Sequence, residues 1–383
     1  MLYRFLHSGR RAGALTVCAV LAAGALAAGA DASATKATAA ACTNTGKLAG
    51  WSNLRLAMLT IAVPASETDP GQVTAEIAQG AGGVLLFGSH APSDLGVLLT
   101  RLRSHVPGRL GLLVMTDEEG GGIQRMANLV GSLPWARTMG ADWSAAQIQR
   151  AVHDVAVRMA AAGVNMDLAP VADVDGRAVV PSASNPDGLR AFSGNAAVVA
   201  RDTVAYMNGL RSGGVIPVAK HFPGLGHASY NTDLGPAHTL PWSTEQAIAL
   251  PPFKALIGAG VPAVMTSNAS VPGLTTAPGS ISATLITTEL KGRLGFHGLV
   301  LTDSLSAKAI SDAGWSVPGA AVQALRSGAD MILFGPVSNP QAGTTAIADR
   351  IVAATKSGLL ARSRLIDAAG AVLAVRHVNL CTG

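Results

Sequence analysis

The chain has 383 residues, 49% of them hydrophobic and 13% charged. That excludes a disordered segment or a small disulfide-framed peptide, and it supplies a core for one large domain or two small ones. Aromatic residues are only 4%, which argues against a stacking platform for nucleic acid. The net charge of +5 owes three positives to Arg4, Arg10 and Arg11, in a stretch without an acid. The remaining chain is close to neutral, so no basic binding face and no nucleic-acid partner are expected.

Arg10 and Arg11 precede an apolar run from Ala12 to Ala30, which ends in small-residue triplets, Ala28-Gly29-Ala30 and Ala32-Ser33-Ala34. This is the pattern of a secretory signal over 1–30, with no stable membrane span after its removal. Lipid anchoring is the less favoured alternative, because Cys18 lies inside the run and Cys42 well beyond it. The chain is expected to be secreted or otherwise extracytoplasmic. Residues 31–46 are mostly Ala, Thr and Ser and read as a linker, leaving 47–383 as one domain. Once the signal is removed, Cys42 and Cys381 are an even pair in an oxidising compartment, and a disulfide between them is expected.

From about residue 50, short apolar runs alternate with helical stretches. The runs are Leu56–Val63, Gly83–Phe87, Leu112–Thr116, Val164–Leu168, Val215–Ala219, Ala263–Thr266, Leu299–Thr302 and Met331–Phe334. Their near-continuous hydrophobicity suits parallel strands buried on both faces. Ser144…Gln147 and Ser243…Gln246 have the capping-box spacing, and Gly163, Gly213 or Gly214, Gly260 and Gly328 fall where helices should end. Eight strand–helix units predict an α/β fold, a single (β/α)₈ TIM-type barrel. A doubly wound sheet is the alternative, but no Gly-rich phosphate turn follows the first run.

In such a barrel the active site forms at the C-terminal strand ends. Those ends carry Asp117-Glu118-Glu119, then Asp167 and Asp173, Lys220-His221, Ser267-Asn268, Asp303-Ser304 and Gly335-Pro336. Carboxylates, a Lys, a His and an amide at one mouth suit a polar ligand. Each has a plainer reading: Asp303 as a helix cap, Lys220 and His221 as a structural pair, and Glu119 as a turn acid, the reading favoured for Glu119. The glycines 120–122 either let backbone approach a ligand or simply turn. Walker A, H-E-x-x-H and G-x-S-x-G patterns are absent. His221, His227 and His238 lack metal-ligand spacing, so no metal and no cofactor are expected.

The segments Lys220-His-Phe-Pro-Gly-Leu-Gly226, Asp117-Glu-Glu-Gly-Gly-Gly-Ile-Gln-Arg125, Asp167-Leu-Ala-Pro-Val-Ala-Asp173, Arg190-Ala-Phe192, Leu301-Thr-Asp-Ser-Leu-Ser306 and Ala329-Asp-Met-Ile-Leu333 occur in order. Together they resemble the motifs of glycoside hydrolase family 3, most closely its single-domain β-N-acetylglucosaminidases. The resemblance implies a (β/α)₈ barrel and a retaining mechanism, with Asp303 as nucleophile. It also implies that Asp117, Arg125, Arg190, Lys220 and His221 bind sugar. The expected partner is a carbohydrate with a terminal β-linked amino sugar, from cell-wall or chitin-type fragments, bound by a monomer.

Four positions depart from the family pattern. The acid/base Asp-x-His pair of these enzymes is replaced by Asn231-Thr232-Asp233, a loop His by Leu225, and an Arg by Gly122. Asp233 is the expected acid/base, with His227 or His238 of the same loop as alternatives. The loop from Gly224 to His238 is expected to be mobile. A β-glucosidase-type enzyme and a non-catalytic sugar-binding protein are the competing readings.

Overall fold

A computed structural model of the chain describes residues 42–382. The expected signal segment 1–30 and most of the linker lie outside the described residues. Eight parallel strands form one sheet: β1 (Ile61–Ser66), β2 (Gly83–Phe87), β3 (Leu113–Thr116), β4 (Met166–Asp167), β5 (Ile216–Phe222), β6 (Ala263–Thr266), β7 (Leu299–Thr302) and β8 (Ile332–Leu333). Each neighbours the next in chain order, and β8 returns to β1 with Ile61 opposite Ile332. A single parallel bridge between Leu301 and Met331 closes the ring between β7 and β8. The result is the TIM-type barrel that the eight apolar runs predict. Val84, Val114, Val264 and Val300 are fully buried, as strands covered on both faces require.

Helices cover the outside. The helix Ala145–Ala161 starts at Ser144, which makes the predicted capping box with Gln147. Its buried Ile148, Val152, Val155, Ala156 and Met159 share one face, as the helical period requires. Gly163, at φ 86°, follows its end.

Three expectations are corrected. The run Leu56–Val63 is not one strand, because Leu56–Leu59 belong to the helix Asn53–Leu59. Ser52 caps that helix, its side chain accepting from Arg55 N. A buried helix turn and a buried strand both read as continuous apolar sequence. The Ser243 capping box does not form either. The helix Trp242–Ile248 already starts at Pro241, and Glu245 Oε1 accepts from Leu240 N at 2.9 Å instead. Third, the stretch 31–46 is not linker to its end. The helix Asn44–Leu48 begins within it, because Thr43 accepts from Gly46 N and caps it.

Cys42 and Cys381 are joined by a disulfide. Asn44 supports the same junction, donating to Val378 O at 2.6 Å and accepting from Leu380 N at 2.7 Å. No helix among the described residues is long and apolar enough to cross a membrane.

Candidate active site

A cavity of about 600 Å³ opens at the C-terminal strand ends, lined by Asp117, Glu119, Arg125, Arg190, Lys220, His221, Asp233 and Asp303. These are the candidate side chains named from the sequence, together with Glu119. His227 and His238 are exposed and do not line it. His238 Nδ1 instead lies 3.0 Å from the Thr239 carbonyl. Of the acid/base candidates, only Asp233 reaches the cavity.

The floor is an ion-pair chain. Lys220 Nζ lies 2.7 Å from Asp117 Oδ1 and 2.6 Å from Glu119 Oε1. Arg190 donates to Glu119 through two parallel bonds, Nε to Oε2 at 2.8 Å and Nη2 to Oε1 at 2.9 Å. This fork-on-carboxylate geometry fixes both side chains. Burial works against the Glu119 charge, but Arg190 and Lys220 outweigh it and hold its carboxyl below the usual range. Burial likewise opposes the Lys220 charge, and Asp117 and Glu119 overcome it, so the ammonium is raised. Arg125 stands 3.7 Å from Asp117. Glu119 is therefore no simple turn acid: it is the joint between Lys220 and Arg190.

Lys220 and His221 are adjacent in β5, yet both line the cavity. The register with β6 shifts between Ala219 and Phe222 at this point, which breaks the strict strand alternation. Behind His221, Asp173 accepts from His221 N (3.1 Å) and Leu225 N (2.7 Å) through Oδ1, and its Oδ2 lies 2.7 Å from His221 Nδ1. Burial, then Arg190 and Lys220, lower the imidazole to about 4, so it is neutral near pH 7. Its Nε2 lies 3.4 Å from Arg190 Nη2.

Asp303 is half-buried just beyond β7. Its backbone N–H donates to Thr266 O at 3.0 Å, and its Oδ1 accepts from Ser304 N at 2.6 Å. Asn268 donates to Ser304 O at 2.8 Å, and Ser304 Oγ donates to Gly335 O at 3.0 Å. Three strand ends thus hold the carboxylate. Burial raises its pKa, and the nearby Asp233 charge adds to that.

The loop that carries Asp233 is pinned, not loose. Asn231 N donates to Ala183 O, Lys308 N to Asp233 O and Ala309 N to Thr232 O. Leu225, where the family pattern has His, packs with Ala228, Ala237 and Ala269 in a small apolar cluster beneath this loop. Gly226 has no room for a side chain, because a Cβ there would lie 2.1 Å from Val174 O. The glycine run 120–122 turns a short hairpin, Glu118–Gly120 against Ile123–Gln124. Trp135 covers that turn: a Cβ on Gly121 would stand 2.0 Å from its ring, and one on Gly122 2.9 Å.

Glu118 and Asp167 serve the hairpin and not the cavity. Glu118 Oε1 accepts from Met126 N at 2.6 Å and Oε2 from Gln124 Nε2 at 2.9 Å, while Asp167 Oδ1 accepts from Glu118 N at 2.9 Å. Burial raises Glu118 to about 7. Asp187 is the acid the sequence reading missed. It is fully buried and lies close to Asp173 and His221. Its only sequence signal is a lone acid three residues before Arg190.

A parallel barrel with a small, carboxylate-rich polar mouth defines an enzyme-type site for a neutral polar ligand. The family described as glycosyl hydrolase family 3 N terminal domain matches residues 61–375, and the chain belongs to this family. It is 32% identical over 293 residues to the beta-hexosaminidase LpqI of Mycobacterium tuberculosis, covering 73% of this chain and 72% of that protein. Among solved structures, a glycosyl hydrolase of the same family from Mycobacterium smegmatis superposes with a TM-score of 0.76 at 33% identity, covering 86% of this chain and 98% of the other. A beta-N-acetylhexosaminidase from Beutenbergia cavernae gives 0.76 at 30% identity, with 85% and 98% covered.

Proposed function

We propose that the chain is an exported, retaining exo-glycosidase that releases terminal β-linked N-acetylglucosamine. The observation that carries this reading is the placement of Asp303 and Asp233 on one small cavity whose floor is the Asp117–Lys220–Glu119–Arg190 chain. The names of the relatives support the choice of sugar. Asp303 attacks the anomeric carbon and forms a glycosyl ester while Asp233 protonates the departing oxygen. Asp233 then takes a proton from water, and the ester is hydrolysed. Lys220, Arg190 and His221 orient the ring through its hydroxyls. Lys220 and Arg190 are fixed by their own ion pairs and His221 by its hydrogen bond to Asp173, so they need little reorganisation in the transition state.

A sugar-binding protein without turnover is the second reading, motivated by the missing Asp-x-His pair. Asp233 on the cavity wall favours catalysis over it. A panel of nitrophenyl glycosides separates these readings: the N-acetyl-β-glucosaminide is hydrolysed fastest, and Asp303→Asn lowers its rate by about 10⁴-fold or more. Wild-type turnover in that variant would remove Asp303 from the role. Binding of N-acetylglucosamine without hydrolysis of any member would establish the second reading.

A further inference from the structure

We propose that an apolar collar around the cavity mouth selects glycosides whose departing group is neutral and apolar, an alkyl or aryl alcohol, over those that release a second sugar or an acid. This rests on the glycosidase reading of the same cavity.

Ten large apolar side chains are exposed among the described residues, and four of them border the cavity. Val180 precedes the lining residue Pro181, Tyr230 precedes Asn231, Leu234 follows Asp233 and Val337 follows Pro336. Neighbouring Cα atoms are about 3.8 Å apart, so each stands within one residue of the cavity wall. Val180 is 65% exposed and Leu234 51%. Scattered apolar side chains need no explanation, but a ring of them at the entrance to a polar cavity does. The three connections that carry them are tied together through the one after β7. Asn231 N donates to Ala183 O, Ala309 N to Thr232 O and Gly335 N to Ser306 Oγ. The Tyr230 ring lies against the turn that follows it, where a Cβ on Gly235 would stand 3.3 Å away. A collar fixed in this way costs little ordering on binding.

The place of the collar says what it meets. In the proposed reaction Asp233 protonates the departing oxygen, so the departing group lies on the side of Asp233. Leu234 is next to that residue and Tyr230 three before it. The composition of the collar says which groups suit it. Residues 178–186 and 334–341 carry no charge, and 228–237 carry only Asp233. Lys308, where the same loop is pinned, is paired with Asp312. An acidic departing group would find no cation in these three stretches. A second sugar presents hydroxyls, which need polar partners when water is displaced. Of the four side chains only Tyr230 offers one, or an aromatic face. Valine and leucine side chains gain instead by covering methylenes or an aryl ring.

The test is titration calorimetry of the full chain carrying Asp303→Asn, which prevents turnover, with butyl and octyl N-acetyl-β-glucosaminides below micelle-forming concentration. Full burial of a methylene is worth about fourfold in affinity and one-sided burial about twofold, so the octyl glycoside should bind about tenfold tighter than the butyl. The same octyl chain ending in a carboxylate, and N,N′-diacetylchitobiose, should both bind more weakly than octyl. Val180→Ser with Leu234→Ser should lower the octyl-to-butyl ratio below about threefold. Val157→Ser, exposed on the helix Ala145–Ala161, should leave it unchanged. Circular dichroism checks folding, and Val337→Ser, with a ratio lowered about twofold, takes the place of the double variant if that does not fold. A ratio below about threefold before any collar substitution, or binding of the carboxylate or of chitobiose as tight as that of octyl, overturns the proposal. So does sedimentation on phosphatidylcholine vesicles that the double variant abolishes while the two alkyl glycosides bind alike, which gives the collar to a lipid surface. Selection of octyl by a chain that, with Asp303 intact, hydrolyses none of these glycosides would overturn the glycosidase reading and leave the collar standing.

Discussion

The two ends of the barrel hold two cavities, and the larger is at the wrong end for chemistry. The cavity at the C-terminal mouth measures about 600 Å³, whereas about 730 Å³ lies at the strand starts, beside Asn165, Val215, Pro262 and Leu299. Each has an arginine. At the mouth, Arg190 is forked onto Glu119, and that partnership raises its pKa despite burial. At the far end, Arg376 donates to the carbonyls of Leu110, Gly111 and Gly82, with no carboxylate. Burial alone lowers it to about 9. The first arginine is held at the mouth by a carboxylate, and the second ties the last helix to the strand starts. Volume is a poor guide to a site; convergent, paired charges at the strand ends are a better one.

The sharpest way to break this contrast is Glu119→Gln. It leaves Arg190 and Lys220 without their joint, and kcat/KM on the nitrophenyl substrate should fall by about 10²–10³-fold. A loss below threefold would make the ion-pair chain structural after all. Asp233→Asn comes next, with a loss of about 10²–10⁴-fold for poor leaving groups and much less for activated ones. On the proposed mechanism Asp303 attacks as the carboxylate while Asp233 is protonated and uncharged, and burial raises the pKa of Asp303. The wild-type acid limb of kcat/KM should therefore lie above the ordinary Asp value, and Asp233→Asn should leave it in place. A limb that moves down in the variant, measured on an activated substrate, would mean that Asp233 is charged in the active form and is not the acid.

At the other end, Arg376→Met should lower stability by about 2–4 kcal/mol in denaturant melts, because three carbonyls lose their donor. The kcat should stay within twofold; a large kcat loss with unchanged stability would reverse the contrast. The smallest effect is expected from His227→Ala, exposed and outside the cavity, with hydrolysis within twofold of wild type.

How far these features were legible follows from the local physics. Seven of the apolar runs mark strands because parallel strands buried on both faces leave little polar sequence inside them. Leu56–Val63 misled because its first half is a buried helix of the same composition. Asp117, Lys220, His221 and Asp303 were readable because strand ends point to the mouth in any such barrel. Glu119 was not, because neighbouring residues of the hairpin serve opposite purposes. Glu118 turns to Gln124 and Met126 N, while Glu119 turns to Lys220 and Arg190, and no periodicity says which is which. Asp187 sits in an irregular connection where the order of residues carries no orientation. The loop expected to be mobile is held by backbone bonds to residues 183, 308 and 309, contacts remote in sequence.

The bond between Cys42 and Cys381 joins positions 339 residues apart. On the chain-entropy account, closing so long a loop disfavours the unfolded chain by on the order of 5 kcal/mol. It also changes how the fold can come undone. Neither end can fray by itself, since peeling the first helix drags the last segment with it. A tug on the first 41 residues would meet a covalent staple before it reached any strand.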